Sequence, residues 1–207
     1  MNKNQFYCIL IVLATLNSCK SKNQNIPLPS QQPVHSFFPV TSFLKGQLHQ
    51  EDSLSRAALK ITTCKGKTDS LMISMKEVKE FTAPFFTPEI DSTNLMNTFT
   101  ESSFLDQTVN AFTLTYSRKN DRVTQQRAAI NGKSDSLTER IISWDVYIDP
   151  IKQSVQRVYI VKEEVYNGNF QTRELTWKTD QWCKIVTIPQ SVGQSADVKE
   201  EMVIWQH

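Results

Sequence analysis

Residues 142–178 read ISWDVYIDPIKQSVQRVYIVKEEVYNGNFQTRELTWK, and apolar and polar residues alternate along much of this stretch. Every second residue from Ile142 to Ile148 is apolar, which predicts a β-strand with one buried face. Asp149-Pro150 ends that strand, and Val155–Val161, rich in Val, Ile and Tyr, predicts the second strand of a hairpin. The centre of this chain therefore favours antiparallel β-structure.

The same pattern continues towards the C-terminus. Asn167-Gly168 is a dipeptide typical of tight hairpin turns and joins a strand within Arg157–Val165 to one over Gln171–Lys178. Cys183–Ile188 and Glu200–Trp205 predict two further strands. Successive strands joined by short turns form antiparallel sheets.

Earlier parts of the chain contribute weaker strand signals. Ala57–Cys64 and Leu71–Ile73 predict two strands on either side of a turn at Lys65–Lys67. In Asn110–Tyr116 the residues at even positions share one face of a strand, and Arg122–Ile130 is a further candidate strand. The sheet is thus expected mainly from the C-terminal half.

Two helices are predicted near the front of the domain. Apolar residues recur at helical spacing from Val40 to Leu48, directly after Pro39, which a first helical turn tolerates. Ser74 and Glu77 form a capping-box pattern at the start of a second helix, which Pro84 should end. The fold class is α+β, with two N-terminal helices packing the antiparallel sheet.

The first twenty residues, MNKNQFYCILIVLATLNSCK, have a different character. A short polar segment with Lys3 precedes an apolar run over Phe6–Leu16. This order is typical of a secretory signal peptide. The run holds about 11 residues, fewer than the roughly 20 that a membrane-spanning helix needs.

Leu16-Asn17-Ser18-Cys19 resembles the lipobox of bacterial lipoproteins, with a large aliphatic residue three positions before the cysteine and a small one directly before it. The resemblance covers the signal alone. It implies cleavage after Ser18 and a lipid on Cys19, and Lys20 in the next position implies delivery to the outer membrane. Residues 1–18 would be the signal peptide, 19–36 the lipidated cysteine with a disordered tether, and 37–207 a single α+β domain.

The tether, residues 20–36, is polar and contains three prolines. Proline keeps such a segment extended at about 3.1 Å per residue, so it could reach on the order of 50 Å. The domain would then stand clear of the membrane that holds the anchor.

Charge gives no sign of a nucleic-acid partner. The chain has 23 basic and 21 acidic residues, and removal of Lys3 with the signal brings the balance closer to neutral. Such a balance produces no broad positive field. We therefore expect the membrane, through the anchor, and another envelope protein as partners.

Four cysteines occur in the sequence, and Cys64 and Cys183 remain in the predicted mature domain without lipid. In an oxidising compartment they could pair as a disulfide, and two separate buried thiols are the equal alternative. Neither belongs to a C-x-x-C pair, so a thiol-redox centre or a cysteine zinc site has no support.

Motifs for metals, cofactors and nucleophilic catalysis are not evident. Of the three histidines, only His49 lies where it could serve a site, and a solvated helix end explains it better. Gly66-Lys67-Thr68 and Gly132-Lys133-Ser134 lack the glycine that a phosphate-binding loop needs five residues earlier. We expect no cofactor and no metal.

Carboxylates and aromatic residues suggest two further kinds of functional site. Glu101 with Asp106, or Asp145 with Asp149, could form a glycosidase-like pair if they converged. Several aromatic residues in the sheet-forming half could bind sugar, peptide or protein if they shared an exposed face, although core packing explains them more simply. They are Tyr147, Tyr159, Trp177, Trp182 and Trp205.

These observations favour a lipid-anchored envelope protein with a non-catalytic binding or assembly role. The alternatives are an envelope hydrolase that uses a carboxylate pair and a periplasmic carrier of an apolar ligand. The hydrolase requires an acidic cleft with raised pKa values, and the carrier requires a sizeable apolar cavity.

Overall fold

The structure is a computed structural model, and it describes residues 37–54, 57–91, 95–119, 138–166, 169–190 and 197–205. All of them belong to one compact unit that spans 36–207. The expected signal peptide, Cys19, the tether, the candidate strand Arg122–Ile130 and the turn Asn167-Gly168 lie outside the described residues.

Helices and strands alternate only in the first part of the domain. The elements are α1 (Val40–Ser53), β1 (Ala58–Cys64), β2 (Lys67–Ile73), α2 (Met75–Thr82), the 3₁₀ helix Ala83–Phe85, β3 (Phe99–Asp106), β4 (Ala111–Arg118), β5 (Thr138–Ile148), β6 (Val155–Tyr166), β7 (Asn169–Lys178), β8 (Trp182–Gln190) and β9 (Lys199–Trp205). Among the described residues, no helix is both long and apolar enough to cross a membrane.

The described strands form one antiparallel sheet in the order β2-β1-β9-β8-β7-β6-β5-β4-β3. From β3 to β9 each strand pairs with the next one along the chain. The first strand pairs with the last, with Ala58 opposite Trp205 and Cys64 opposite Lys199. The coarse prediction, an antiparallel sheet with two helices, is confirmed.

One face of the sheet, called the core face below, carries the hydrophobic core. Trp144 on β5 stacks on Tyr116 of β4, with ring centroids 4.7 Å apart, and Phe99 lies 4.6 Å from Trp144. Further along the same face, Trp177 contacts Phe85 at 5.3 Å. Val40 and Leu44 of α1 and Val78 of α2 are fully buried members of the same hydrophobic cluster.

The predicted helices form, with small differences at their ends. Pro39 is the N-cap of α1, which continues through Gly46 to Ser53. Ser74 and Glu77 make both hydrogen bonds of the capping box at α2, which confirms that prediction. The α-helix ends at Thr82, before Pro84 as predicted, and Pro84 lies within the 3₁₀ helix Ala83–Phe85 that follows.

The strand predictions need two corrections. A register shift between Ile141 and Ser143 places Ile141 in the core, with 3% of its surface exposed, and leaves Ile142 half-buried. Strand β3 was not recognised, since its residues are exposed except at its two ends and show no apolar alternation.

Two glycines offer a matched test of backbone energetics. Gly46 lies inside α1, and a Cβ there would meet no atom within 4 Å. We expect Gly46→Ala to raise the free energy of unfolding by about 0.5–1 kcal/mol, because alanine loses less conformational freedom in a helix. A Cβ at Gly66 would also meet open space, but the backbone there has a φ of +72°, which alanine rarely adopts. Gly66→Ala should therefore lower the free energy of unfolding. Urea unfolding of both variants measures the difference, and equal effects would contradict this explanation.

Candidate functional site

The aromatic residues that the sequence singled out are divided between the two faces of the sheet. Trp177 and Trp205 lie on the core face and are 0% and 4% exposed. Tyr147, Tyr159 and Trp182 are half-buried and lie on the other side of the sheet, called the opposite face below. Core packing, the simpler explanation, therefore holds for Trp177 and Trp205, whereas Tyr147, Tyr159 and Trp182 share the opposite face as half-buried residues.

Strand register joins residues of the opposite face into a continuous line across the sheet. Each member lies directly across from the next on the neighbouring strand. This Tyr147 row consists of Phe104, Thr113, Tyr147, Arg157, Lys178, Trp182, Ile204, Leu59 and Met72. Its two ends are open to solvent, because Phe104 and Met72 are each 50% exposed.

The middle of the row combines aromatic rings with positive charge. The Arg157 guanidinium carbon lies 3.9 Å from the centroid of the Tyr147 ring, which is a close cation–π contact. Lys178 is directly across from Arg157, and Trp182 is directly across from Lys178. A cavity of about 300 Å³ opens at this point, lined by Val109, Ala111, Tyr147, Gln156, Arg157 and Lys178.

These two cations differ from the other lysines and arginines on β5 to β9. Each of the others makes an ion pair: Arg140 with Glu163, Lys162 with Glu139, Arg173 with Glu164, Lys184 with Glu200 and Lys199 with Glu201. Within the described ranges, no carboxylate lies within ion-pair distance of Arg157 or Lys178. Like charges directly opposite on neighbouring strands are destabilising.

Two carboxylates near this site, Asp106 and Asp149, are already hydrogen-bonded within their own turns. Asp106 accepts hydrogen bonds from the backbone N–H and hydroxyl of Thr108, which lower its pKa, with a smaller contribution from the Arg157 charge. Asp149 accepts from the backbone N–H groups of Lys152 and Ile151, which likewise lower its pKa. Neither acid neutralises the cation pair by direct contact.

The proposed carboxylate pairs do not converge along the backbone. Glu101 and Asp106 are five residues apart on β3, or ~16 Å along a strand, and Asp145 and Asp149 are four residues apart, or ~13 Å. Burial, with a smaller contribution from Glu101, raises the pKa of the Tyr116 hydroxyl above its usual range. An inverting glycosidase pair spans roughly 6.5–9.5 Å, so this geometry does not support either pair.

Cys64 and Cys183 are free thiols, and the disulfide alternative is not formed. Cys64 is directly across from Lys199 on β9, and Lys199 is directly across from Thr187 on β8. The two cysteines are therefore two strands apart and also four residues, or ~13 Å, out of line, whereas a disulfide needs Cα atoms within about 7 Å. Burial raises the pKa of the Cys183 thiol well above its usual value.

His49 is an exposed residue of α1. Across the described ranges, no group of three or more His, Cys, Asp or Glu side chains is arranged to hold a metal ion. The motif Gly132-Lys133-Ser134 lies outside the described residues.

A second charged cluster, which the sequence analysis missed, lies on the core face. Lys162 is fully buried, and its Nζ donates to the backbone carbonyls of Pro84 and Thr87 and to Glu139 Oε1 at 2.7 Å. Glu164, 4% exposed, accepts hydrogen bonds from Arg173 and Gln171, both at 2.7 Å. Alternation could have revealed it, because Lys162 and Glu164 share a face with Val158 and Ile160.

This cluster serves the structure rather than chemistry. A lysine ammonium has three N–H donors, and all three find an acceptor here. Burial lowers the pKa of Lys162, and the neighbouring Glu139 opposes that shift. The side chain fastens the segment after α2 to strand β6 and has no donor left for a ligand.

Removal of this ammonium should destabilise the protein. We expect Lys162→Met to lower the free energy of unfolding by about 2–4 kcal/mol, because two backbone carbonyls and Glu139 lose their partner. Lys184→Met, which removes a partly exposed ion pair at 3.6 Å, is the matched control and should cost under about 1 kcal/mol. Denaturant unfolding compares the two variants. Similar losses of unfolding free energy would contradict the role of Lys162 in holding the segment after α2 against β6.

Searches against family models, curated proteins and solved structures found no match for this chain.

Proposed function

We propose that this chain is a lipid-anchored protein of the bacterial outer membrane, facing the periplasm, and that it binds another envelope component without catalysing a reaction. The observation that carries the binding role is the Tyr147 row. It presents half-buried aromatic rings beside two cations that have no ion-pair partner in the described part of the chain. Aromatic and arginine side chains of this kind commonly anchor partners.

The different packing of the two sheet faces supports this role. We infer that α1 and α2 cover the core face and leave the opposite face for a partner. Val40, Leu44 and Val78 are each 0% exposed and belong to the cluster that includes Trp144 and Trp177. The partly buried hydrophobic residues around that cluster likewise come from the helices, their flanking segments and the core face of the strands.

The anchor is the second part of the proposal. The lipobox-like Leu16-Asn17-Ser18-Cys19 supports lipidation of Cys19, and Lys20 supports delivery to the outer membrane. Acyl chains contribute about 0.8 kcal/mol per buried methylene, so two or more chains give a stable attachment. The tether would then let the domain reach a partner away from the membrane.

Replacement of the anchoring cysteine tests this attachment. We expect Cys19→Ala to lose the acyl mass and to move from the membrane to the soluble fraction, because no lipid holds it. Mass spectrometry of the intact protein and membrane fractionation measure both effects, and Cys64→Ala is the matched control that should keep the anchor. A wild-type chain without acyl mass would rule out the lipid anchor.

Photo-crosslinking tests the binding face. A photoreactive amino acid replaces either Trp182 or Tyr159 in the full chain, produced in its own bacterial envelope. We expect both positions to yield one common adduct, because both side chains lie on internal strands of the opposite face. Thr68 lies on the same face but on the edge strand β2, and this exposed residue is the control position that should yield none.

The outcomes separate the possibilities. A common adduct at Trp182 and Tyr159 that is absent at Thr68 supports a binding role for this part of the face. Adducts of equal yield at all three positions, or none at Trp182 and Tyr159, would contradict it. Gel mobility and mass spectrometry of the adduct measure the result.

A further inference from the structure

We propose that the cavity between Arg157 and Lys178 is a binding site for a carboxylate. This inference rests on the proposed binding role of the opposite face and names the chemistry that the face recognises. The two cations lie directly across from each other on β6 and β7, and neither has a carboxylate within ion-pair distance among the described residues. A bound oxyanion would relieve their mutual repulsion.

The geometry around Arg157 suits a planar anion. Its guanidinium lies 3.9 Å from the Tyr147 ring centroid, and the ring restricts the orientation of the guanidinium. A stacked guanidinium presents N–H groups along its edge, in the fork arrangement that matches a carboxylate. Lys178 supplies a second positive charge from the neighbouring strand.

Nearby negative charge favours a monoanion over a dianion. Asp106 is close enough for the Arg157 charge to contribute to its lowered pKa. Asp149 accepts a hydrogen bond from the Gln156 side chain at 3.2 Å, and Gln156 lines the cavity. A phosphate dianion would meet these acids as well as the two cations, so the site should prefer a carboxylate.

Besides the polar side chains, the cavity has two apolar lining residues, and its volume is small. Val109 and Ala111 line it, and its volume of about 300 Å³ lies at the lower end of ligand pockets. The site therefore fits a short organic acid or an acidic side chain of a protein, and both present the same carboxylate.

Titration of the full chain in detergent micelles tests the site. We expect acetate to produce saturable NMR shifts at the Ala111 amide and the Arg157 guanidinium, and isobutyrate to bind more tightly because of the apolar wall. Inorganic phosphate at equal ionic strength should bind more weakly. Tighter binding of phosphate, or shifts that never saturate, would overturn the proposal.

Variants assign the effect to the two cations. Arg157→Gln and Lys178→Gln should each weaken acetate binding by about tenfold or more, since each removes a charged hydrogen-bond donor. Arg157→Lys keeps the charge without the fork and should fall between Arg157→Gln and wild type. Lys184→Gln is the matched control, because Lys184 lies on the same face but pairs with Glu200. Equal weakening in the control would overturn the assignment, and preserved NMR dispersion shows that each variant is folded.

A peptide arm distinguishes the two sources of the carboxylate. A capped peptide with one glutamate between valines is compared with its glutamine counterpart and with isobutyrate. Tighter binding of the glutamate peptide assigns the site to a protein partner, and tighter binding of isobutyrate assigns it to a free acid. Equal binding of the glutamate and glutamine peptides would overturn carboxylate recognition of the peptide.

Failure of this inference differs from failure of the proposed function. If carboxylates do not bind but the Trp182 and Tyr159 adducts persist, the face still binds a partner and the carboxylate site is wrong. If the adducts are absent while acetate binds at Arg157 and Lys178, the partner role is wrong and the pocket stands.

Discussion

Alternation of side chains along strands held in register is the constraint on which the rest of this structure depends. Successive residues of a strand point to opposite faces, so the pairing of neighbours decides which side chains meet. Trp177 and Trp182 are only five residues apart, yet the turn between β7 and β8 places them on different faces. One closes the core against Phe85, and the other lies beside Lys178 in the Tyr147 row.

Local patterns in the sequence predicted the elements better than they predicted the site. Period-two alternation identified the strands from β5 to β9, and the capping box at Ser74 identified the start of α2. Strand β3 was missed because an exposed edge strand needs no apolar face. The Tyr147 row could not be predicted, because it depends on register between strands, and a periodicity within one strand carries no information about its neighbour.

The charged residues on the two faces of the sheet differ in whether they have ion-pair partners. On the core face, Lys162 is across from Arg173 and Glu139 is across from Glu164, and the ion pairs run along the diagonals. Like charges therefore neighbour each other, but each is balanced, as buried charges must be. Sequence could suggest that Lys162 faces inward, but its carbonyl partners at Pro84 and Thr87 come from a segment more than seventy residues away. That contact depends on the tertiary fold.

On the opposite face, Arg157 and Lys178 keep a repulsion that the fold could easily have avoided. A carboxylate in place of either one would complete the pattern seen for the other strand cations of β5 to β9. Like charges directly across a strand pair cost roughly 0.2–1 kcal/mol, which a domain of this size tolerates. Departures from local consistency that bring no gain in stability are expected at functional sites. The pair lies at the end of β7 and beside an open cavity, where an anion can reach both charges.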